Sequence, residues 1–218
     1  KRNIPDKKSA VLAVSQSGET ADTLASIRAA KELGLLTLGV VNTVGSTIAR
    51  ETDAGVYNHA GPEVAVASTK AFISQLTVFV LLTLLIGREK GMTQKEGNEI
   101  AKGLTELPDI LAKMLEDTKD IQRIAEKYAQ YRDAIFIGRK LHTPIAYEGS
   151  LKLKEVAYIH AEAYAGGELK HGPIAMLDEN FPIIALVPQD DVYEKMISNI
   201  EEVKARKAPI LAFATPHD

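Results

Sequence analysis

Ser15-Gln16-Ser17-Gly18-Glu19-Thr20 lies between an apolar run at residues 10–14 and a helical pattern at residues 21–31. This order predicts a β-strand, a tight turn rich in hydroxyl groups and the N-terminus of a helix. Backbone N–H groups at a helix start have no partner within the helix, and the helix dipole favours negative charge there. The short polar side chains add donors without positive charge, which suits the phosphate of a small metabolite. A simpler interpretation stays open, because Ser or Thr before a helix also serves as an N-cap.

The composition of the 218-residue chain narrows the class of function. A formal net charge of −3 provides no basic surface for nucleic acid. The chain has no Cys, which excludes disulfides, thiolate metal sites and a cysteine nucleophile. Without a signal-peptide pattern, we expect a cytoplasmic protein. The longest apolar run, residues 71–86, contains Ser and Thr and is shorter than a membrane span, so we expect a helix buried on most sides and no membrane segment.

Apolar runs rich in Val, Ile and Leu alternate with helical patterns along the chain. This alternation predicts an α/β fold with parallel sheets that are covered on both faces. Residues 53–57 add a short edge strand, and residues 91–128 form charged helices that we expect to break only at Pro108. The predicted strands are residues 10–14, 36–41, 134–137, 183–187 and 210–214.

An internal repeat indicates that the chain has two halves. When the chain is shifted so that Val14 falls on Val187, Gln16 falls on Gln189, and both copies read strand, turn, helix, strand. The second copy carries Asp190 and Asp191 in its turn, where carboxylates would repel a phosphate, so we expect only the first half to hold one. We predict a first domain at residues 1–91, connecting helices at 92–127 and a second domain at 128–218. Both domains look truncated at the chain ends.

A second candidate cluster lies on the helix predicted at residues 144–158. Glu148, Lys152 and Glu155 are spaced so that they share one helix face. A face of this kind is usually a solvated salt-bridged surface. The irregular stretch that follows, residues 159–173, places titratable groups among small residues, and loops held by a rigid scaffold often carry function. There His171 precedes a Gly-Pro turn and is a candidate for proton transfer.

Histidine spacing gives no support for a metal site. The chain has no HxxxH or HExxH motif, and His160 and His171 are too isolated to propose a ligand set. We therefore expect no metal.

Four segments, residues 15–23, 66–70, 148–155 and 160–173, closely resemble the isomerase part of the glucosamine-6-phosphate synthase family. Members are also called glutamine–fructose-6-phosphate amidotransferases, and the likeness covers essentially the whole chain. The resemblance implies two sugar-isomerase (SIS) domains, each a flavodoxin-like three-layer α/β/α sandwich. It implies a homodimer and no organic cofactor. The implied reaction transfers ammonia to fructose 6-phosphate and isomerises the product to glucosamine 6-phosphate.

The resemblance also assigns binding residues. It implies that the sugar phosphate is held by Ser15, Gln16, Ser17 and Thr20. It further implies that Val66 and Ser68 line the sugar pocket.

Catalytic roles follow from the same resemblance. Glu155 would be the base that moves a proton between C1 and C2 through an enediol-like or enolamine-like intermediate. Lys152 would assist near the sugar oxygens. His171 would help to open the sugar ring and would reach the site from the neighbouring subunit.

The chain departs from the family pattern in three places. The glutaminase domain with its cysteine nucleophile, the first strand with its Ser-containing loop, and the C-terminal tail with its imine-forming lysine are all absent. We therefore expect this chain to be unable to release ammonia from glutamine, and it could bind the sugar without turnover. Two alternatives stay open: a non-catalytic sugar-phosphate sensor, and a related deglycase or deaminating isomerase on the same fold. A sensor in a transcriptional regulator would need a helix-turn-helix unit, and none is visible in the sequence.

Overall fold

The computed structural model describes Asp6 and residues 8–216, which form two compact units that divide between Leu115 and Glu116. Each unit contains a parallel β-sheet and helices, which confirms the predicted α/β class with parallel sheets. The described elements are, in chain order, β1 (Ala10–Ser15), α1 (Ala21–Glu32), β2 (Leu36–Val41), α2 (Thr47–Glu51), β3 (Ala54–Tyr57), α3 (Lys70–Glu89), α4 (Gln94–Glu116), α5 (Lys119–Tyr128), β4 (Asp133–Gly138), α6 (His142–Ala157), β5 (His160–Ala165), β6 (Ile183–Val187), α7 (Tyr193–Lys204) and β7 (Ile210–Ala214).

The sheet of the first unit has the strand order β1-β2-β3. Ser15 pairs with Val41, and Val41 pairs with Tyr57, so the three strands end at the same edge of the sheet. The loops after these strands therefore begin side by side, as is typical of ligand sites in open parallel sheets. Helices α1 and α2 pack on one face of the sheet. The buried core there consists of Ala13, Ile27, Val41 and Ile48.

The sheet of the second unit has the order β5-β4-β6-β7. After β5 the chain crosses to the other side of β4, so the strand order reverses between β4 and β6. On the α7 side a large core surrounds Ile135, Ile137 and Met196. On the α6 side Gly149 lies so close to Phe136 that a Cβ at this position would be 2.8 Å from the aromatic ring.

Most strands were predictable from their apolar runs, but β5 was not. The five predicted strands form with bounds that differ from the predicted ones by at most one residue. Residues 160–165 were expected to be irregular, and this prediction is wrong, because they form a strand paired in parallel with β4. The signal was alternation: Ala161 and Ala163 are buried, whereas His160 is exposed and Glu162 is half-exposed.

The predicted break at Pro108 is also wrong. Helix α4 continues from Gln94 to Glu116 with Pro108 inside it, and the interruption comes after it, before α5 begins at Lys119. Pro removes one backbone hydrogen bond from a helix, yet an exposed position lets the chain tolerate that loss.

The expectation that the apolar run forms a mostly buried helix is wrong as well. In α3 only Ala71 is buried, and 6% of its most apolar 18-residue window is covered within the described structure. Its 20 residues make α3 long and apolar enough to cross a membrane, which the predicted run was not. Length and composition alone are weak evidence for a membrane segment, because core helices of other proteins meet the same criteria.

Candidate functional site

The turn at residues 15–20, named here the hydroxyl loop, is organised by its own side chains. The Ser15 hydroxyl accepts a hydrogen bond from the Gly18 N–H at 3.0 Å and lies 3.2 Å from the Thr20 hydroxyl. The Ser17 hydroxyl accepts from the Glu19 N–H at 3.2 Å. Ser15 is 8% exposed and is therefore a buried residue of the loop. The structure thus brings the predicted phosphate residues together in one closed turn.

Thr20 directly precedes α1, but its side chain makes no capping hydrogen bond. Its hydroxyl is directed to Ser15 instead. The N-cap interpretation of the sequence is therefore wrong for this residue. The first-turn N–H groups of α1 are left without the side-chain acceptor that usually satisfies them, and such a helix start attracts an anion.

Residues that follow β2 hold the hydroxyl loop in place through hydrogen bonds. The Gly18 carbonyl accepts from the Ile48 N–H at 2.9 Å, and the Glu19 carboxylate accepts from the Thr47 N–H at 2.8 Å. This backbone hydrogen bond holds the pKa of Glu19 below its usual value. Gly18 has a φ of 69°, and a Cβ there would lie 2.0 Å from the Ser46 hydroxyl oxygen. Glycine is required at this position by both the left-handed backbone and the contact.

Asn42 is a supporting residue that sequence reasoning missed. It is buried at the end of β2, and its N–H donates to the Gln16 carbonyl at 3.2 Å. Its side-chain amide donates to the Gly61 carbonyl at 2.7 Å, and its side-chain oxygen accepts from the Ala60 N–H at 2.9 Å. Asn42 therefore ties the hydroxyl loop to the segment after β3. The only available signal was an Asn directly after an apolar run.

Val66 and Ser68 lie in the segment that joins β3 to α3. Val66 is 98% exposed and Ser68 is half-buried. The nearby Glu63 carboxylate accepts from the N–H groups of Thr69 and Ala71, at 3.1 and 2.8 Å, and so fixes the start of α3. No hydrogen bond among residues 8–216 joins Val66 or Ser68 to the hydroxyl loop.

The predicted Glu-Lys-Glu face of α6 is a compact ionic cluster. The Lys152 ammonium lies 2.5 Å from Glu155 and 3.3 Å from Glu148. The Lys152 and Glu148 side chains are about three-quarters buried, and the Glu155 side chain is about two-thirds buried. Burial lowers the pKa of Lys152, but the hydrogen bonds and charges of the two carboxylates outweigh it, so this pKa is raised. The lysine is therefore fully protonated near neutral pH and holds Glu155 in place.

His171 ends a 3-10 turn formed by Glu168–His171, named here the histidine turn. Leu169 anchors this turn in the core, whereas His171 is exposed. Gly172 follows with a φ of 147°, a conformation that favours glycine. Within the described part of the chain, His171 forms no hydrogen bond and no ion pair, and none joins it to Lys152 or Glu155. Its imidazole is thus free to contact a group outside this unit.

The turn after β6 holds Asp190 and Asp191 in ion pairs. Asp190 pairs with His142 at 2.9 Å, and Asp191 pairs with Lys140. The Val192 N–H, followed by His142, lowers the pKa of Asp190. The two carboxylates therefore contact side chains that follow β4, those of His142 and Lys140, an arrangement that no local pattern revealed. Within the part of the chain that the structure describes, no group of three or more His, Asp or Glu residues is arranged to hold a metal.

Comparison with known proteins gives a consistent result over both units. The sequence pattern of the SIS domain family matches residues 4–85 and 127–217. The glutamine–fructose-6-phosphate aminotransferase (isomerizing) of Chlorobaculum tepidum is 49% identical over 208 residues, which are 95% of this chain and 34% of that protein. The corresponding Escherichia coli K12 protein is 48% identical over 209 residues, 95% of this chain and 34% of that protein. This chain spans about a third of the length of these curated relatives.

A solved structure agrees with these sequence matches. The C-terminal domain of glucosamine-fructose-6-phosphate aminotransferase from Francisella tularensis superposes with a TM-score of 0.94 at 41% identity. The match covers 98% of this chain and 61% of that one. The resemblance predicted from the sequence is thereby confirmed.

Proposed function

Because this chain belongs to the SIS domain family, we propose that it is the isomerase part of a glutamine–fructose-6-phosphate aminotransferase. In this proposal two flavodoxin-like SIS domains, residues 1–91 and 128–218, are joined by helices at residues 92–127. The protein binds fructose 6-phosphate and converts it with ammonia to glucosamine 6-phosphate and water. It works as a cytoplasmic homodimer without a metal or organic cofactor, and ammonia comes from a glutaminase domain that lies outside this chain.

One observation carries the proposal: a closed loop of hydroxyl groups at the uncapped N-terminus of α1. The Ser15, Ser17 and Thr20 hydroxyls lie at a helix start that attracts negative charge, and in this proposal the Gln16 amide adds a further donor. No lysine or arginine belongs to the loop. This arrangement suits a phosphate monoester on a small neutral sugar. Val66 and Ser68 contribute to the sugar pocket in this proposal.

The chemistry is a proton transfer between adjacent sugar carbons. His171, donated by the neighbouring subunit, assists opening of the sugar ring. Ammonia condenses with the C2 carbonyl of the open-chain sugar, and water leaves to give an imine. The Glu155 carboxylate removes a proton from C1, and an enolamine forms, or an enediol where the ketone itself reacts. The protonated Glu155, which exchanges its proton with solvent, then donates a proton to C2, so the carboxylate is regenerated. Lys152 holds the carboxylate at 2.5 Å and places positive charge near the sugar oxygens, where negative charge develops.

Phosphate recognition is tested by calorimetry with glucosamine 6-phosphate and glucosamine. We expect binding of the phosphorylated sugar, and we expect Ser17→Ala to weaken it by about tenfold, as loss of a charge-assisted hydrogen bond does. Ser26→Ala is a matched control, because Ser26 is exposed on α1 and bonds only its own helix. Equal weakening of the free sugar by Ser17→Ala would contradict the phosphate role.

Proton transfer is tested separately by deuterium exchange at C1 of fructose 6-phosphate in D₂O. Glu155→Gln should abolish exchange and spare phosphate binding. Glu148→Gln is the matched control, since Glu148 contacts the same lysine from the same helix and should leave most of the exchange intact. Exchange at the normal rate in Glu155→Gln would exclude Glu155 as the base.

A further inference from the structure

The histidine turn is fastened to α7 by an ion pair. The Lys170 ammonium, next in sequence to His171, lies 2.6 Å from the Glu202 carboxylate. Lys170 is largely exposed, whereas Glu202 is about three-quarters buried. Leu169 fixes the other side of the turn in the core. Because His171 itself has no partner among the described residues, these neighbours set its position.

Asn199 connects this ion pair to the end of β4. It is 1% exposed on α7, and its side-chain oxygen accepts from the Arg139 Nε–H at 3.0 Å. Its amide nitrogen donates to Glu202 at 3.4 Å. A buried amide with defined partners on both sides has one orientation, because turning it over would face like groups toward each other. The hydrogen bond from Asn199 therefore holds the Glu202 carboxylate in one position.

The chain that leads into the histidine turn passes directly over Asn199. A Cβ on Gly166 would lie 2.7 Å from the Asn199 side-chain oxygen and 3.1 Å from the Met196 sulfur. The Gly166 N–H donates to the Gly138 carbonyl at 2.8 Å, so the backbone has little freedom to retreat. By contrast, a Cβ on Gly167 would lie 3.6 Å from the nearest atom, at an ordinary contact distance from Arg139.

We propose that Asn199 and Glu202 are positioning residues that hold the histidine turn, and with it His171, in the orientation that ring opening requires. The inference rests on the function proposed above and extends it to residues that touch no substrate. Asn199 fixes the position of the histidine turn because its side chain lies against the backbone of Gly166. Glu202 sets its orientation through Lys170.

Two matched pairs of variants test this inference. Glu202→Gln removes the charge that holds Lys170, whereas Glu201→Gln makes the same change one residue away, where the partner is Lys204 on the same helix. Gly166→Ala drives a methyl group into Asn199, whereas Gly167→Ala adds the same methyl group at an ordinary contact distance from Arg139. Glu202→Asp, which keeps the charge, is the rescue variant. The readout is C1 deuterium exchange of fructose 6-phosphate, resolved into maximal rate and half-saturation concentration.

We expect Glu202→Gln to lower the maximal rate by roughly two- to fivefold, the range that a partly exposed ion pair supports. Gly166→Ala should lower it by roughly tenfold, because small displacements of a catalytic group are costly. Half-saturation should stay unchanged in both, and Glu202→Asp should recover most of the rate. Glu201→Gln and Gly167→Ala should match the unmodified protein. Equal rates within each pair would overturn the inference, as would a change confined to half-saturation.

A second measurement separates this inference from the proposed function. If the unmodified protein exchanges no protons, the proposed function fails, and amide hydrogen exchange of residues 169–171 then decides. Faster exchange there in Glu202→Gln than in Glu201→Gln would support a positioned turn. Equal protection in the two variants would overturn it.

Discussion

Gly18→Ala is the substitution whose effect the structure defines most closely. The backbone at Gly18 has a φ of 69°, and an alanine Cβ would lie 2.0 Å from the Ser46 hydroxyl oxygen and 2.4 Å from its Cβ. A left-handed backbone costs a non-glycine residue about 1–2 kcal/mol. A Cβ is fixed by the backbone and cannot rotate away, and Ser46 is 3% exposed. The overlap therefore adds about 1–3 kcal/mol of overpacking.

Gly34→Ala provides the matched control for this prediction. Gly34 has a nearly identical φ of 71° beyond the end of α1, but a Cβ there meets no atom within 4 Å. It should cost only the backbone contribution. The two variants should thus differ by about 1–3 kcal/mol in the free energy of opening the first unit.

Amide hydrogen exchange of β2 measures that free energy. Calorimetry with glucosamine 6-phosphate measures the affinity of the hydroxyl loop for the sugar phosphate. If the backbone of Gly18 yields instead, the Ser15 hydroxyl loses its Gly18 donor and the affinity falls by at least tenfold. Gly34→Ala should bind normally. Equal stability and equal affinity in the two variants would refute the argument that Ser46 and Gly18 set the shape of the loop.

Two further predictions concern charged groups. The Asp53 carboxylate accepts from the Thr37 N–H and hydroxyl, both at 2.8 Å, and these bonds lower its pKa to about 2. Because this pKa is depressed, the contribution of Asp53 to the free energy of unfolding is present above about pH 4 and is lost as the pH falls toward about 2. In Asp53→Asn the free energy of unfolding should therefore depend less on pH in that window. An unchanged pH profile would contradict this. The pKa of Lys152, measured by NMR, should fall further in Glu155→Gln than in Glu148→Gln, since Glu155 is the closer partner; the reverse order would contradict the observed contacts.

The elements of this fold were largely readable from local patterns. Near-continuous apolar runs of four to six residues that alternate with helices are typical of parallel strands, and these runs predicted the strands correctly. Strand β5 escaped because its buried positions are Ala161 and Ala163, whose small side chains give a weak hydrophobic signal. Helix α4 was misjudged because Pro108 disfavours a helix locally without forbidding one.

The sequence by itself determined the strand–turn–helix order around the hydroxyl loop and the shared face of Glu148, Lys152 and Glu155, because residue spacing along one element dictates both. Tertiary structure alone decided which distant groups meet. It placed Ser46 beneath Gly18 and Asn199 beneath Gly166. These pairs belong to separate elements, and only the packing of helices against a sheet brings them within contact distance.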